Sequence, residues 1–240
     1  MNIIYWIKLE TVQLKARVHS YNQQNPIAAM SPTTATNEMP GYCFDVIIAF
    51  LCNKPAPKCP DIIPNQNFPL FVTWKTDAGQ SLRGCIGTFC RDLPLHDGLF
   101  EYAKTSAFSD TRFNPICMRE IPLLSCSVSL LVKFEPARNY RDWTIGVHGI
   151  RIEYKQHGRR LNAVYLPEVA LEQQWNHVET LNHLMRKGGF QGNVTETDRL
   201  NVAIERFQSE KAALTFDQYV QFKKNRGEQI LLHREAICVK

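Results

Sequence analysis

No run in the 240-residue chain approaches the roughly 18 apolar residues that a membrane-spanning helix takes. Residues 1–7 are apolar but few, lack a basic start and run into Lys8 and Glu10, which makes a poor signal peptide. Without secretion, the Asn193-Val194-Thr195 glycosylation sequon is a chance match. An excess of charge is also missing. Twenty-eight Lys and Arg against 23 Asp and Glu leave a net +5, with no basic block, so nucleic-acid binding has only weak support. There is no C-x-x-C pair and no histidine at zinc-finger spacing, so no metal site is expected. Dinucleotide, phosphate-loop, zinc-protease and EF-hand signatures are absent, so no cofactor is expected either. We find no internal repeat.

What is present is ordinary for a soluble globular protein: 44% hydrophobic and 21% charged residues, enough for one large domain or two small ones. Eight cysteines lie scattered, several in apolar runs where a thiol acts as a small hydrophobe, and read as reduced thiols of an intracellular protein.

Residues 22–26 and 31–37 are polar with no sustained period, and 1–39 read as a flexible leader. A helix is expected over 41–52, where Phe44, Ile47, Ile48 and Leu51 recur at helical spacing. Five prolines make 54–69 a loop. Residues 70–75 and 81–89 read as a hairpin around an Asp77-Ala78-Gly79 turn. Pro94 opens a helix ending near Asp110, and 125–134 is a long strand. Further strands are expected at 145–147, 150–154, 163–166 and 202–207. Pro167 opens one helix; Leu181, Leu184 and Met185 stripe another, closed by a left-handed cap at Gly188. A capping box at 215–218 opens the last helix, and residues 227–240 form a tail.

The densest signal is Leu82-Arg83-Gly84-Cys85-Ile86-Gly87-Thr88. Alternation on a strand puts Arg83, Cys85 and Phe89 on one face, and glycines within a strand mark close approach of another group. A pocket floor follows, with Arg83, Gly84, Gly87 and Thr88 as ligand-binding candidates. Arg112 and Arg151 would join Arg83 in an anion site, since guanidinium forks bind carboxylates and phosphates. The alternative is that each arginine pairs with an internal carboxylate such as Asp110, Glu168 or Glu210. Cys85 is a candidate nucleophile and His148 a candidate base; the alternatives are a buried filler and a turn histidine bonded to backbone. Lys187-Gly188-Gly189 is most simply a helix stop.

Residues 82–89, 106–113, 143–152, 165–170, 184–190 and 208–211 resemble, in unbroken order, the AMMECR domain family, here an animal-type member spanning 40–226. The resemblance implies an α+β fold of two packed α/β subdomains of unequal size, with mostly antiparallel sheets, flanking helices and a cleft between the subdomains. It brings no established reaction. Microbial neighbours hint at an enzymatic setting, and proposals for animal members favour a regulatory role in nucleus or cytoplasm. The expected function is therefore a regulatory or scaffold module binding a protein partner or small anionic ligand near residues 82–88. The alternatives are an enzyme using Arg83 and Cys85 on an anionic substrate, and a nucleic-acid-associated factor.

Overall fold

The computed structural model describes residues 35–76 and 81–230. Most of the expected leader, the turn at 77–79 and most of the tail lie outside these residues. Helix α1 (Glu38–Leu51) begins inside the expected leader, because Met39 is fully buried in the core. Strands β1 (Leu70–Thr76) and β2 (Ser81–Thr88) form the expected hairpin, and α2 (Leu95–Phe108) follows with Pro94 as its N-cap. A 3-10 helix (Met118–Leu123) leads into β3 (Ser125–Pro136). Then come β4 (Gly149–Gln156), β5 (Arg159–Tyr165), α3 (Pro167–Glu172), α4 (His177–Lys187), α5 (Glu196–Leu200), β6 (Ala203–Thr215) and α6 (Phe216–Asn225).

All six strands belong to one antiparallel sheet ordered β2-β1-β3-β6-β4-β5, so the fold is α+β. Three local expectations are corrected. Residues 145–147 are a turn, because the Thr144 carbonyl accepts from the Val147 and His148 N–H groups. Strand β6 runs on to Thr215, because pairing with β3 holds the weak strand formers Lys211, Ala212 and Ala213 extended. The left-handed residue after α4 is Gly189 (φ 97°), while Gly188 stays helical (φ −73°).

Alternate residues of the sheet feed different cores. Leu70, Val72, Trp74, Cys126, Val128, Leu130 and Leu214 pack against α1, α2 and α6. A second core sets Ile150, Ile152, Tyr165 and Ile204 against Leu181, Leu184 and Met185 of α4. A small third cluster uses the opposite face of β1–β3, where Phe71, Cys85, Leu131 and Phe207 meet Val164 of β5. Val164 lies on one edge strand and Cys85 on the other, so the sheet curls until its edges approach across this face.

Candidate functional site

The β2 glycines answer to close packing. A Cβ on Gly84 would stand 2.0 Å from the Ser106 carbonyl oxygen of α2; on Gly87 it would stand 2.2 Å from the Leu70 carbonyl oxygen. Both contacts are to backbone, so neither position tolerates a side chain without moving an element. The expected alternation also breaks. The register slips between Trp74 and Lys75, pairing them with Gly84 and Leu82 and leaving Arg83 as the extra residue of a bulge. Leu82 therefore packs with Cys85, and Arg83 does not share that face.

Cys85 is held from three sides. Its thiol accepts a hydrogen bond from Thr73 Oγ1 at 3.2 Å, as befits a close cross-strand pair. Its outward N–H donates to Asp110 Oδ2 at 2.9 Å, and its carbonyl accepts from Arg112 Nη2 at 3.1 Å. Arg112 in turn grips Asp110 through Nε (2.9 Å) and Nη2 (2.6 Å). The Asp110–Arg112 clasp thus bonds the open edge of β2 as a further strand would. Burial pushes the Asp110 carboxyl up, but Arg112 and the two backbone N–H donors outweigh it and hold the group below the usual carboxylate range. Burial pushes the Cys85 thiol up despite Thr73 and Arg112. A raised thiol is protonated at neutral pH and is a weak nucleophile.

The other candidates are dispersed. Arg83 makes a two-pronged ion pair with Glu120, Nε to Oε1 at 2.7 Å and Nη2 to Oε2 at 3.1 Å, and lies 5.9 Å from the Phe113 ring centre. Arg112 lies 5.5 Å from the same ring, so these two arginines are brought together, each with its own carboxylate. Arg151 is on β4 and pairs with Glu153. Thr88 Oγ1 accepts from the Cys90 N–H, a local turn bond. On the turn before β4, His148 Nδ1 accepts from the Thr144 N–H, and no hydrogen bond joins His148 to Cys85 among the described residues. Of the carboxylates foreseen as arginine partners, Asp110 takes Arg112 and Glu210 keeps a buried Oε2 with no partner; Arg83 is taken instead by Glu120, which was not foreseen.

Beside Cys85, the sheet carries polar groups that sequence reading passed over. Register places Thr73 and Ser127 in the Cys85 row, Ser129 in the next, and Ser209 opposite Leu131. Ser127 and Ser129 are 7% and 5% exposed, yet their hydroxyls have no hydrogen bond among the described residues. Lys75 and Lys211 fall on the same face, at opposite corners. The end of β5 brings α3 toward it: Val164 and Leu166 join the Cys85 cluster, and Glu168 and Glu172 follow. Glu168 is close enough to act electrostatically on the Cys85 thiol. Burial and Glu168 raise the Glu172 carboxyl, and Lys75 and Lys211 oppose them. None of these four charged groups forms an ion pair within 4 Å among the described residues. The signal for this floor was in view: serines alternate with Cys126, Val128 and Leu130, which all point into the first core.

Lys187 was also missed as anything but a helix end. Its Nζ donates to the Val164 carbonyl at 2.8 Å and lies 4.9 Å from the Tyr165 ring centre, with no carboxylate partner among the described residues. Burial lowers its ammonium to about 8. Elsewhere, an open groove of about 580 Å³ on β4–β5, lined by residues including Glu153, Arg160 and Asn201, contains none of these groups. No helix among the described residues is long and apolar enough to cross a membrane, and no cluster of three metal-ligating side chains occurs there.

The AMMECR1 family profile matches residues 40–212, which takes in every strand but the end of β6. The chain belongs to the AMMECR1 family. An uncharacterised Arabidopsis thaliana protein is 39% identical over 196 residues, 80% of this chain and 90% of the relative. An uncharacterised Schizosaccharomyces pombe protein is 39% identical over 182 residues, 75% and 92% of the two chains. The crystal structure of an uncharacterised Pyrococcus horikoshii protein superposes with a TM-score of 0.62 at 23% identity, over 73% of this chain and 89% of that one. That likeness shows the fold, which an archaeal protein shares, and carries no activity. The function of this AMMECR1-family protein, like that of these relatives, is unestablished.

Proposed function

We propose that this AMMECR1-family protein is an intracellular regulatory or scaffold module that holds a segment of a partner protein in the cleft over the Cys85 face of its sheet. The observation that carries the reading is a contrast between two sets of polar groups. Arg83, Arg112 and Arg151 each answer an internal carboxylate, so none offers an unpaired guanidinium to an anion. The Ser127 and Ser129 side chains are largely buried, yet their hydroxyls make no hydrogen bond to protein among the described residues and still reach solvent, which leaves them for a ligand or water to complete. The thiol reading has less support, because Cys85 is buried with its pKa raised and no base bonded to it.

The test is panning of a random peptide library against the protein and against two variants that fill the floor. Ser129→Leu and the less buried Ser209→Trp should both lose the peptides that the unaltered protein enriches. Circular dichroism identifies a variant that has unfolded, and the other then decides. Equal enrichment on a folded floor variant would overturn the proposal.

A further inference from the structure

The charges around the floor are arranged by sign. Lys75 on β1 and Lys211 on β6 stand on the sheet, two strands apart, flanking the hydroxyls of Thr73, Ser127, Ser129 and Ser209. Glu168 and Glu172 hang from α3, which follows directly from a strand edge packed on the same face. Among the described residues, several opposite charges elsewhere are closed into pairs. Arg83–Glu120, Arg91–Glu205, Arg112–Asp110 and Lys223–Asp45 all lie within 3 Å. Here two ammoniums and two carboxylates surround a polar floor without closing into an ion pair within 4 Å among the described residues, although Lys75 and Lys211 act electrostatically on Glu172. Lys211 and Glu172 are also exposed, so a ligand can reach them.

Resting on the cleft reading above, we infer that the cleft selects an extended peptide segment bearing both a basic and an acidic side chain, the basic one toward Glu168 and Glu172 and the acidic one toward Lys75 and Lys211. The segment's own amide groups meet the Ser127 and Ser129 hydroxyls. Complementary charge of this kind fixes orientation and rejects wrong partners more than it adds raw affinity. A segment charged throughout with one sign meets two like charges in the cleft and is disfavoured.

Fluorescence anisotropy with labelled, end-blocked pentapeptides of the form Ser-X-Ser-Z-Ser tests this. The spacing puts X and Z on one side of an extended chain. With the unaltered protein, Lys and Glu at X and Z should bind on the order of tenfold tighter than Ser at both. Lys211→Glu should move the two-Lys peptide above the mixed one, and Glu172→Lys should do the same for the two-Glu peptide. Both side chains are exposed, so the reversals should leave the fold intact. Equal binding of all peptides, or an order that charge reversal does not change, would overturn the inference. Floor variants that lose library peptides while these orders stay flat would sink the charge assignment alone. Enrichment indifferent to the floor variants would sink the cleft itself.

Discussion

Removing the Asp110 carboxylate should cost far more than removing a surface charge, because it unlocks the edge of the motif strand. The Asp110 side chain is 4% exposed and accepts from the Cys85 N–H, the Arg112 N–H and two guanidinium nitrogens. Asp110→Ala takes the carboxylate from the Arg112 guanidinium, itself only 28% exposed, and the acceptor from the buried Cys85 N–H. Breaking one side of a buried pair costs about 3–5 kcal/mol, and the partial exposure of Arg112 places this case near 3 kcal/mol. Arg112→Ala leaves the carboxylate its two backbone donors and should cost about 2 kcal/mol. In the double variant no charge is left unpaired, so the losses should not add; a coupling of about 2 kcal/mol is expected from urea titrations of the four proteins. Acid provides a second reading. The Asp110 pKa is depressed on folding, so its stabilisation is present above the unfolded value of about 3.9 and is lost as pH falls through the lower folded value. Asp110→Asn should flatten that acid limb. A single-variant cost below about 1 kcal/mol, or additive losses, would refute the clasp.

Lys187 gives the opposite pH signature. Its ammonium is depressed to about 8 by burial, so stability rises as pH climbs from there to the unfolded value near 10.4. Lys187→Met should therefore gain up to about 3 kcal/mol at pH 7, less the lost Val164 hydrogen bond, and lose the advantage by pH 10.5; a gain independent of pH would contradict this. Gly84→Ala should cost at least about 3 kcal/mol in urea titration, because a carbonyl 2.0 Å from the new Cβ has to move; a neutral result would mean that α2 and β2 separate easily. Iodoacetamide at neutral pH should label exposed Cys90 first and Cys85 among the last, as read by peptide mass spectrometry; Cys85 labelling first would restore the thiol reading.

Strand and helix positions were legible wherever local chemistry sets them. Five prolines marked the loop before β1, and the capping box at Thr215 marked α6. Glycines 84 and 87 announced close approach, but one dimension does not say that the approaching groups are the Ser106 and Leu70 carbonyls. Arg83 and Cys85 share a face by simple alternation; the bulge that separates them is set by pairing with β1. Arginine partners were harder still. Asp110 lies two residues from Arg112 and was foreseen, whereas Glu120 lies 37 residues from Arg83. The hydroxyl floor was written in the alternation of β3, and only the curl of the sheet showed that the end of β5 brings α3 toward its polar face.

The cleft is tested most directly by backbone-amide NMR during titration of an enriched peptide. Shifts should concentrate at Thr73, Ser127, Ser129, Lys211 and Glu172. Shifts confined to the β4–β5 groove around Glu153, Arg160 and Asn201, with the floor silent, would contradict it.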